Sequence, residues 1–342
     1  MKRFGHIIYV LFATMLLSSC ETVFQYPDEN PVDPTLVNLT LNLTLDIAAI
    51  RDFEDYDGTK TLSRSDDETQ YHIRTIIEIY ESGNSSDVVA RSIKYYDYLD
   101  ISEFAINNTF ALNAKEYRIL VWADAVDNTE NIDLHYTSTD LRNILPTSPY
   151  TGATELKHCF SDVIDVDLTP YRDEWNVVYE TEGSLERPLS RFEIITTDLD
   201  QFITEQVRSR AEDDTKVDVD PSKYTIKLHY DGYMPYGYNV ETDIPNRAET
   251  GVEYITSLEQ LSDSEARLTF DHVFVNHEES SVNISMMVYD EDGELTTQTN
   301  SINIPLLRNK RSIIKGEFLT EDYVPGVTVD PSFDGDIDIW IK

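Results

Sequence analysis

Two cysteines in 342 residues, Cys20 and Cys159, cannot build a disulfide framework, a four-thiolate zinc site or an iron–sulfur cluster. Glycine is sparse at 12, and none falls in a GxGxxG or GxxxxGK arrangement, so neither a dinucleotide site nor a phosphate-cradling loop is encoded. The seven histidines never form HExxH, and there is no nucleophile elbow. Positive charge is also short, with 27 Lys plus Arg against 64 Asp plus Glu. A net charge of −37 repels phosphate backbones and excludes nucleic acid as a partner. What is present is apolar and aromatic residue in quantity, 40% and 11%, too much for a disordered acidic chain. The 21 tyrosines, with abundant Thr, Val and Ile, favour strands, and the length suits two domains.

The chain begins MKRFGHIIYVLFATMLLSSC. Lys2 and Arg3 precede an apolar run from Ile7 to Leu17, about half of what a spanning helix needs, so residues 1–19 read as a signal peptide. Leu17-Ser18-Ser19-Cys20 resembles the bacterial lipobox, in which cleavage leaves the cysteine first and a diacylglycerol is attached to its sulfur. Acyl chains contribute about 0.8 kcal/mol per buried methylene, enough for two or more to hold a folded body on a membrane. Residues 20–34, with Pro27, Pro31 and Pro34 and no periodic pattern, read as an extended tether.

Beyond the tether, Leu39, Leu41, Leu43, Leu45 and Ile47 alternate with polar residues, the period of a strand with one buried face. An acidic stretch from Arg51 to Thr69 reads as a loop. Further strands are expected at 71–80, 88–95, 104–112 and 117–124, the last apolar on both faces and therefore doubly covered. Residues 125–154 read as a long crossover, followed by a strand pair at 158–168 and 174–182. The pattern breaks at 181–188, which places a domain boundary between residues 183 and 184. The second half, 184–342, opens with a strand at 189–196 and a helix from Leu199 to about Arg210, capped by Asp198, with Phe202, Ile203 and Val207 at helical spacing. Strands follow at 224–230, 267–275 and 282–289, a hairpin turn at Asp292-Gly293, then strands at 295–305 and 312–319. The fold class is mainly β: two antiparallel β-sandwich domains, 35–183 and 184–342, with one helix in the second.

Chemistry is hard to find. His158 and Cys159 point to opposite faces of a strand and make no nucleophile–base pair, which leaves Cys159 a small buried hydrophobe. The acidic runs Asp290–Glu294 and Asp334–Asp338 lack the EF-hand order of ligands and read as turns; no metal or cofactor is assigned. Trp122, Trp175 and Trp340 are core candidates that would form a sugar platform if exposed. Arg308-Asn309-Lys310-Arg311, the one basic cluster, is a solvated turn or a docking patch. At the C-terminus Ile337, Ile339 and Ile341 alternate with Asp338 and Trp340, a segment suited either to closing its own domain or to insertion into a neighbour's sheet edge.

Taken together, the lipobox, the alternating first strand, YRILVWAD at 117–124, IPLLRNKRSIIKGEFLT at 304–320 and the tail from Val327 to Ile339 resemble the fimbrillin-like proteins of Bacteroidales, especially the lipoproteins similar to the fimbrium anchoring subunit. That resemblance implies transthyretin-like sandwiches working without catalysis in a pilus, with a fimbrial shaft subunit as partner and the outer membrane as location. Polymerising members are trimmed at an arginine after their first strand; anchoring members keep that strand and their lipid. Here it lies between Cys20 and the first downstream arginines, Arg51 and Arg64, so the implied role is an anchor that terminates or regulates assembly by strand addition. A glycan-binding surface lipoprotein, sharing lipid, tether and β domains, is the alternative.

Overall fold

In the computed structural model the described residues are 33–45, 71–97, 105–210, 219–276, 279–320 and 337–340. Nine strands build the first half: β1 (Val37–Leu45), β2 (Tyr71–Glu81), β3 (Asn84–Asp97), β4 (Ala105–Leu112), β5 (Glu116–Asp127), the short β6 (Tyr136–Thr137) and β7 (Leu145–Pro146), β8 (Cys159–Asp167) and β9 (Val178–Leu185). A three-stranded sheet, β4-β1-β9, and a four-stranded sheet, β3-β2-β5-β8, bury one core between them. The Leu/Thr alternation of β1 is realised as expected as far as Leu45; Ile47 lies outside the described residues. Val37, Leu39, Leu41, Leu43 and Leu45 all face that core, against Ile77, Ile119, Val121 and Ile164, while the intervening residues remain partly or fully exposed.

The second half contains β10 (Leu189–Thr196), α1 (Leu199–Arg210), β11 (Thr225–Tyr230), β12 (Met234–Asn239), β13 (Ile244–Glu249), β14 (Glu253–Ser257), β15 (Glu259–Gln260), β16 (Ala266–Phe274), β17 (Glu279–Tyr289), β18 (Leu295–Gln298), β19 (Ile302–Leu307), β20 (Arg311–Gly316) and β21 (Ile337–Trp340). Sheet β15-β16-β10-β20-β21 packs on β14-β11-β17-β18, with β19 continuing along β17 beyond β18. Their core joins Phe192 and Ile194 to Ile226, Leu228, Ile284 and Met286, and α1 adds Leu199 and Phe202 to it.

The pairing contains parallel ladders that the antiparallel expectation did not include. β1 runs antiparallel to β4 and parallel to β9, and β10 repeats this with antiparallel β16 and parallel β20. The first strand of each sandwich is thus an interior strand, joined to a neighbour from the far end of the same half. Such a pairing requires a long return connection, which local periodicity does not record.

Several other expectations need correction. The strands at 158–168 and 174–182 are not ladder partners: β8 lies on β5 and β9 lies on β1, and they touch where the Ser184 N–H donates to Asp162 Oδ2 at 3.0 Å and where Ser161 bridges to Glu186, just past β9. The single strand expected at 295–305 is two, because the Thr299 hydroxyl accepts the Met286 N–H at 2.9 Å and interrupts the ladder along β17. β12 to β14 were not foreseen; they are short, carry Pro235 and Pro245, and the β12–β13 register shifts at a bulge. Asp198 does not spend its carboxylate on capping α1. It accepts instead from the N–H groups of Leu319 and Thr320, at 3.1 and 2.8 Å, and from the Thr196 hydroxyl, clamping the chain after β20 to the start of the helix. The hairpin at Asp292-Gly293 is present, with Gly293 at φ +80° joining β17 to β18.

β5 is covered on both faces, as read from its sequence. Ile119, Val121 and Ala123 enter the first core, whereas Leu120 and Trp122 face a separate cluster. In that cluster Tyr136, Leu141 and Ile144 of the crossover meet Leu189, Tyr238 and Phe274 of the second half, so the two halves share an apolar seam. Tyr238 stacks on Phe274 with centroids 5.0 Å apart, and Trp122 meets Tyr136 edge-on at 5.7 Å.

Candidate functional site

Cys20, Arg51, Arg64 and Ile341 lie outside the described residues. Ile337 and Ile339 fall in β21, which runs parallel to β20 with Ser312 opposite Ile337 and Ile314 opposite Ile339, at the rim of a five-stranded sheet. The basic turn, read as solvated or as a docking patch, is only partly solvated and is tied into the fold by its side chains. Arg308 makes a two-pronged pair with Asp243, both contacts 2.8 Å, Asn309 turns at φ +56° while accepting from Arg187 at 2.9 Å, and Arg311 is buried. Trp122 is fully buried and offers no platform; Trp175 is 70% exposed. The Cys159 thiol is buried and pushed well above its ordinary range, chiefly by desolvation and then by Asp124, which leaves it protonated and inert. Among the described residues no helix is long and apolar enough to cross a membrane.

A concentration of buried charge lies beside the seam, where the crossover reaches β10 and β16. Its last segment is held in place by backbone: Ala153 N–H donates to Phe270 O at 3.0 Å, and Tyr136 OH donates to Lys157 O at 2.8 Å. A 3₁₀ turn at Glu155–Lys157, begun by the Thr154 side chain, then aims Lys157 inward. Lys157 Nζ donates to Asp271 Oδ1 and to Tyr150 OH, each at 2.6 Å. Tyr150 and Tyr230 donate their hydroxyls to Asp271 Oδ2 at 2.6 and 2.7 Å, and the His272 N–H reaches Oδ1 at 2.8 Å.

Asp271 is 0% exposed and Lys157 2%, so a desolvated ion pair is saturated by hydrogen bonds, the condition for such a pair to be tolerated. Burial pushes the Lys157 ammonium down, with Asp271 opposing, and pushes Tyr150 and Tyr230 well up, with the Asp271 charge adding to it.

Next to this clasp Arg191 grips Glu155 with two bonds, 2.5 and 2.9 Å, and also pairs with Glu193. His158, which follows the 3₁₀ turn, and His272 from β16 place their rings 4.7 Å apart, edge to face. Glu155 Oε2 stands 3.9 Å from His158 Nε2, and one ligand atom from each of Glu155, His158 and His272 lies within 4.8 Å of the other two. Burial holds both imidazoles well below their usual range, reinforced at His158 by Arg187 and Arg191 and at His272 by His158 and Arg191.

A cavity of about 330 Å³ opens nearby between the crossover and the second sandwich, lined by Tyr150, Tyr254, Lys227 and Glu253. Gly152 at its wall has no room for a side chain, since a Cβ would stand 2.3 Å from the Tyr254 ring.

Of these groups the sequence raises only His158 for chemistry, as the neighbour of Cys159, and for a pairing that strand geometry rules out. Lys157 and Asp271 are 114 positions apart. The available signals were Asp271-His272 inside the largely buried strand ARLTFDHVF and the i, i+3 spacing of Glu155 and His158.

The family described as DUF6562, of unknown function, matches residues 31–342. No curated protein matches the chain. Among solved structures, a candidate cell adhesion protein from Bacteroides eggerthii is 12% identical, with 92% of this chain and 100% of that one covered at a TM-score of 0.40. A candidate polysaccharide-binding protein from Bacteroides thetaiotaomicron is 10% identical over 78% and 80% of the two chains, TM-score 0.41. The tip fimbrial protein from Porphyromonas gingivalis is 11% identical over 79% and 81%, TM-score 0.34.

Proposed function

Because the chain belongs to the DUF6562 family, whose function is unknown, we propose a role from its own architecture: a non-enzymatic, lipid-held component of a surface fimbrium that ties the filament to the outer membrane through Cys20. The observation that carries this reading is the position of β1. The strand nearest the lipidated cysteine is hydrogen-bonded on both sides, from Val37 opposite Leu112 to Thr44 opposite Ala105 on β4, and from Asn38 opposite Val178 to Leu45 opposite Leu185 on β9. Force arriving through the tether acts along this strand and loads both ladders in shear, all bonds together, instead of peeling an edge bond by bond. The residues between Cys20 and Val37 span roughly 55 Å when extended, enough to clear lipid headgroups. A chain cut at Arg51 or Arg64 would still be held to its lipid by five buried aliphatic side chains and two ladders.

The partner in this reading is a shaft subunit that docks by strand addition, and β21, at a sheet rim, is the segment of this chain suited to closing its own sheet or serving a neighbour's. The domain limits in this reading are 20–34 for the tether, 35–183 and 184–342. A surface glycan-binding lipoprotein is the second reading; exposed Trp175 favours it, and saturable quenching of that tryptophan by a polysaccharide would raise it over the first.

Replacing Cys20→Ala tests the anchor. The variant is expected in the soluble fraction while the native protein partitions into detergent and resists a high-salt wash. If the variant stays with the membrane at high salt, the lipid argument fails.

A further inference from the structure

We propose that Glu155, His158 and His272 form a binding site for a divalent transition metal of zinc type, placed so that the bound ion clips the crossover of the first half to β16 of the second. The inference stands apart from the anchor reading. The donors converge because of where the fold puts them. Glu155 opens the 3₁₀ turn and His158 caps its end three positions on, which leaves Glu155 Oε2 3.9 Å from His158 Nε2, and His272 closes the triangle from the opposite half. One carboxylate and two imidazoles make a donor set that suits zinc, and three protein ligands leave the fourth tetrahedral position to water.

The present spacing, up to 4.8 Å between donor atoms, must contract to about 3.3 Å around an ion with bonds of about 2.05 Å. Glu155 can supply its part of that movement, and turning of the two rings must supply the rest. The Glu155 side chain is 45% exposed, which also opens an entry path, whereas His158 and His272 are set in the interior. Its two oxygens divide the work: one turns to the ion while the other keeps its bond to Arg191. Arg187, Arg191 and Lys157 repel a cation here, and Asp271, Glu193 and Glu155 offset them.

The test is calorimetric titration of chelator-stripped full-length protein with zinc alone, alongside Glu155→Gln and His158→Gln, and absorption with cobalt alone in place of zinc. One zinc per chain at sub-millimolar concentration is expected, with an intense visible cobalt spectrum from a four-coordinate, nitrogen-containing site. Glu155→Gln changes a half-exposed group and is expected to keep the native circular dichroism while losing that one site and its cobalt bands. Absence of stoichiometric binding by the native protein would overturn the proposal. So would zinc binding that is unchanged in both variants, or a weak six-coordinate cobalt spectrum, since either would mean that the acidic surface is the ligand.

Discussion

Replacing Asp271→Leu removes the counter-ion of a lysine that is 2% exposed and leaves Lys157, Tyr150 and Tyr230 facing an apolar side chain. Breaking a buried pair by deleting one partner typically costs about 3–5 kcal/mol. Against a total stability of about 5–15 kcal/mol, 4 kcal/mol lowers the folded-to-unfolded ratio by about three orders of magnitude. Lys157→Met should cost a similar amount, because Asp271 then becomes the uncompensated charge. The double variant should be no worse than either single one, giving a coupling of about 4 kcal/mol, above the roughly 0.5–3 kcal/mol that contacting residues usually show.

The variant also carries a pH signature. Burial already lowers the Lys157 pKa with Asp271 in place, and without Asp271 nothing in the pair opposes that shift. The folded state would then hold one proton fewer than the unfolded state over the range up to the ordinary lysine pKa. Stability of Asp271→Leu relative to the native protein should therefore rise with pH on the approach to the ordinary lysine value, pH ~10, by at most about 1.4 kcal/mol per unit, and be lost as pH falls. Urea denaturation of the four proteins at several pH values measures all of this. Additive single effects, or singles costing under about 1 kcal/mol, would refute the claim that the halves are clasped by this pair.

Alkaline pH should unfold the protein cooperatively. Tyr150, Tyr230 and Tyr254 are raised well above their ordinary value, chiefly by burial and then by Asp271, so the fold keeps protons that the unfolded chain releases. Stability is intact below pH ~10 and falls above it, by up to about 4 kcal/mol per pH unit for three such groups; tyrosinate absorbance should appear with the loss of structure and not before it. Leu41→Ala, at a fully buried position in the middle of β1, should cost about 3–5 kcal/mol in urea unfolding. A loss under about 1 kcal/mol would mean that β1 is not seated in the core and cannot bear the load assigned to it.

Short-range pattern determined a good part of this protein. The Leu/Thr alternation of β1, the double apolarity of β5, the helix at Leu199–Arg210 and the Asp-Gly hairpin each follow from residues within one element, and the structure has them where the period placed them. The leader and Cys20 are likewise sequence statements, which the described residues leave as they were. Only the tertiary structure decided that β1 lies between an antiparallel and a parallel neighbour, that Asp198 serves the chain after β20 and not its own helix, and that Trp122 faces the seam. It also brought Lys157 to Asp271, and Glu155 and His158 to His272. The physical reason is the same throughout. A period of two or of 3.6 states which face of an element is apolar, but not which distant face will cover it. Buried charges and imidazoles look like surface residues in a sequence until the fold removes water from around them.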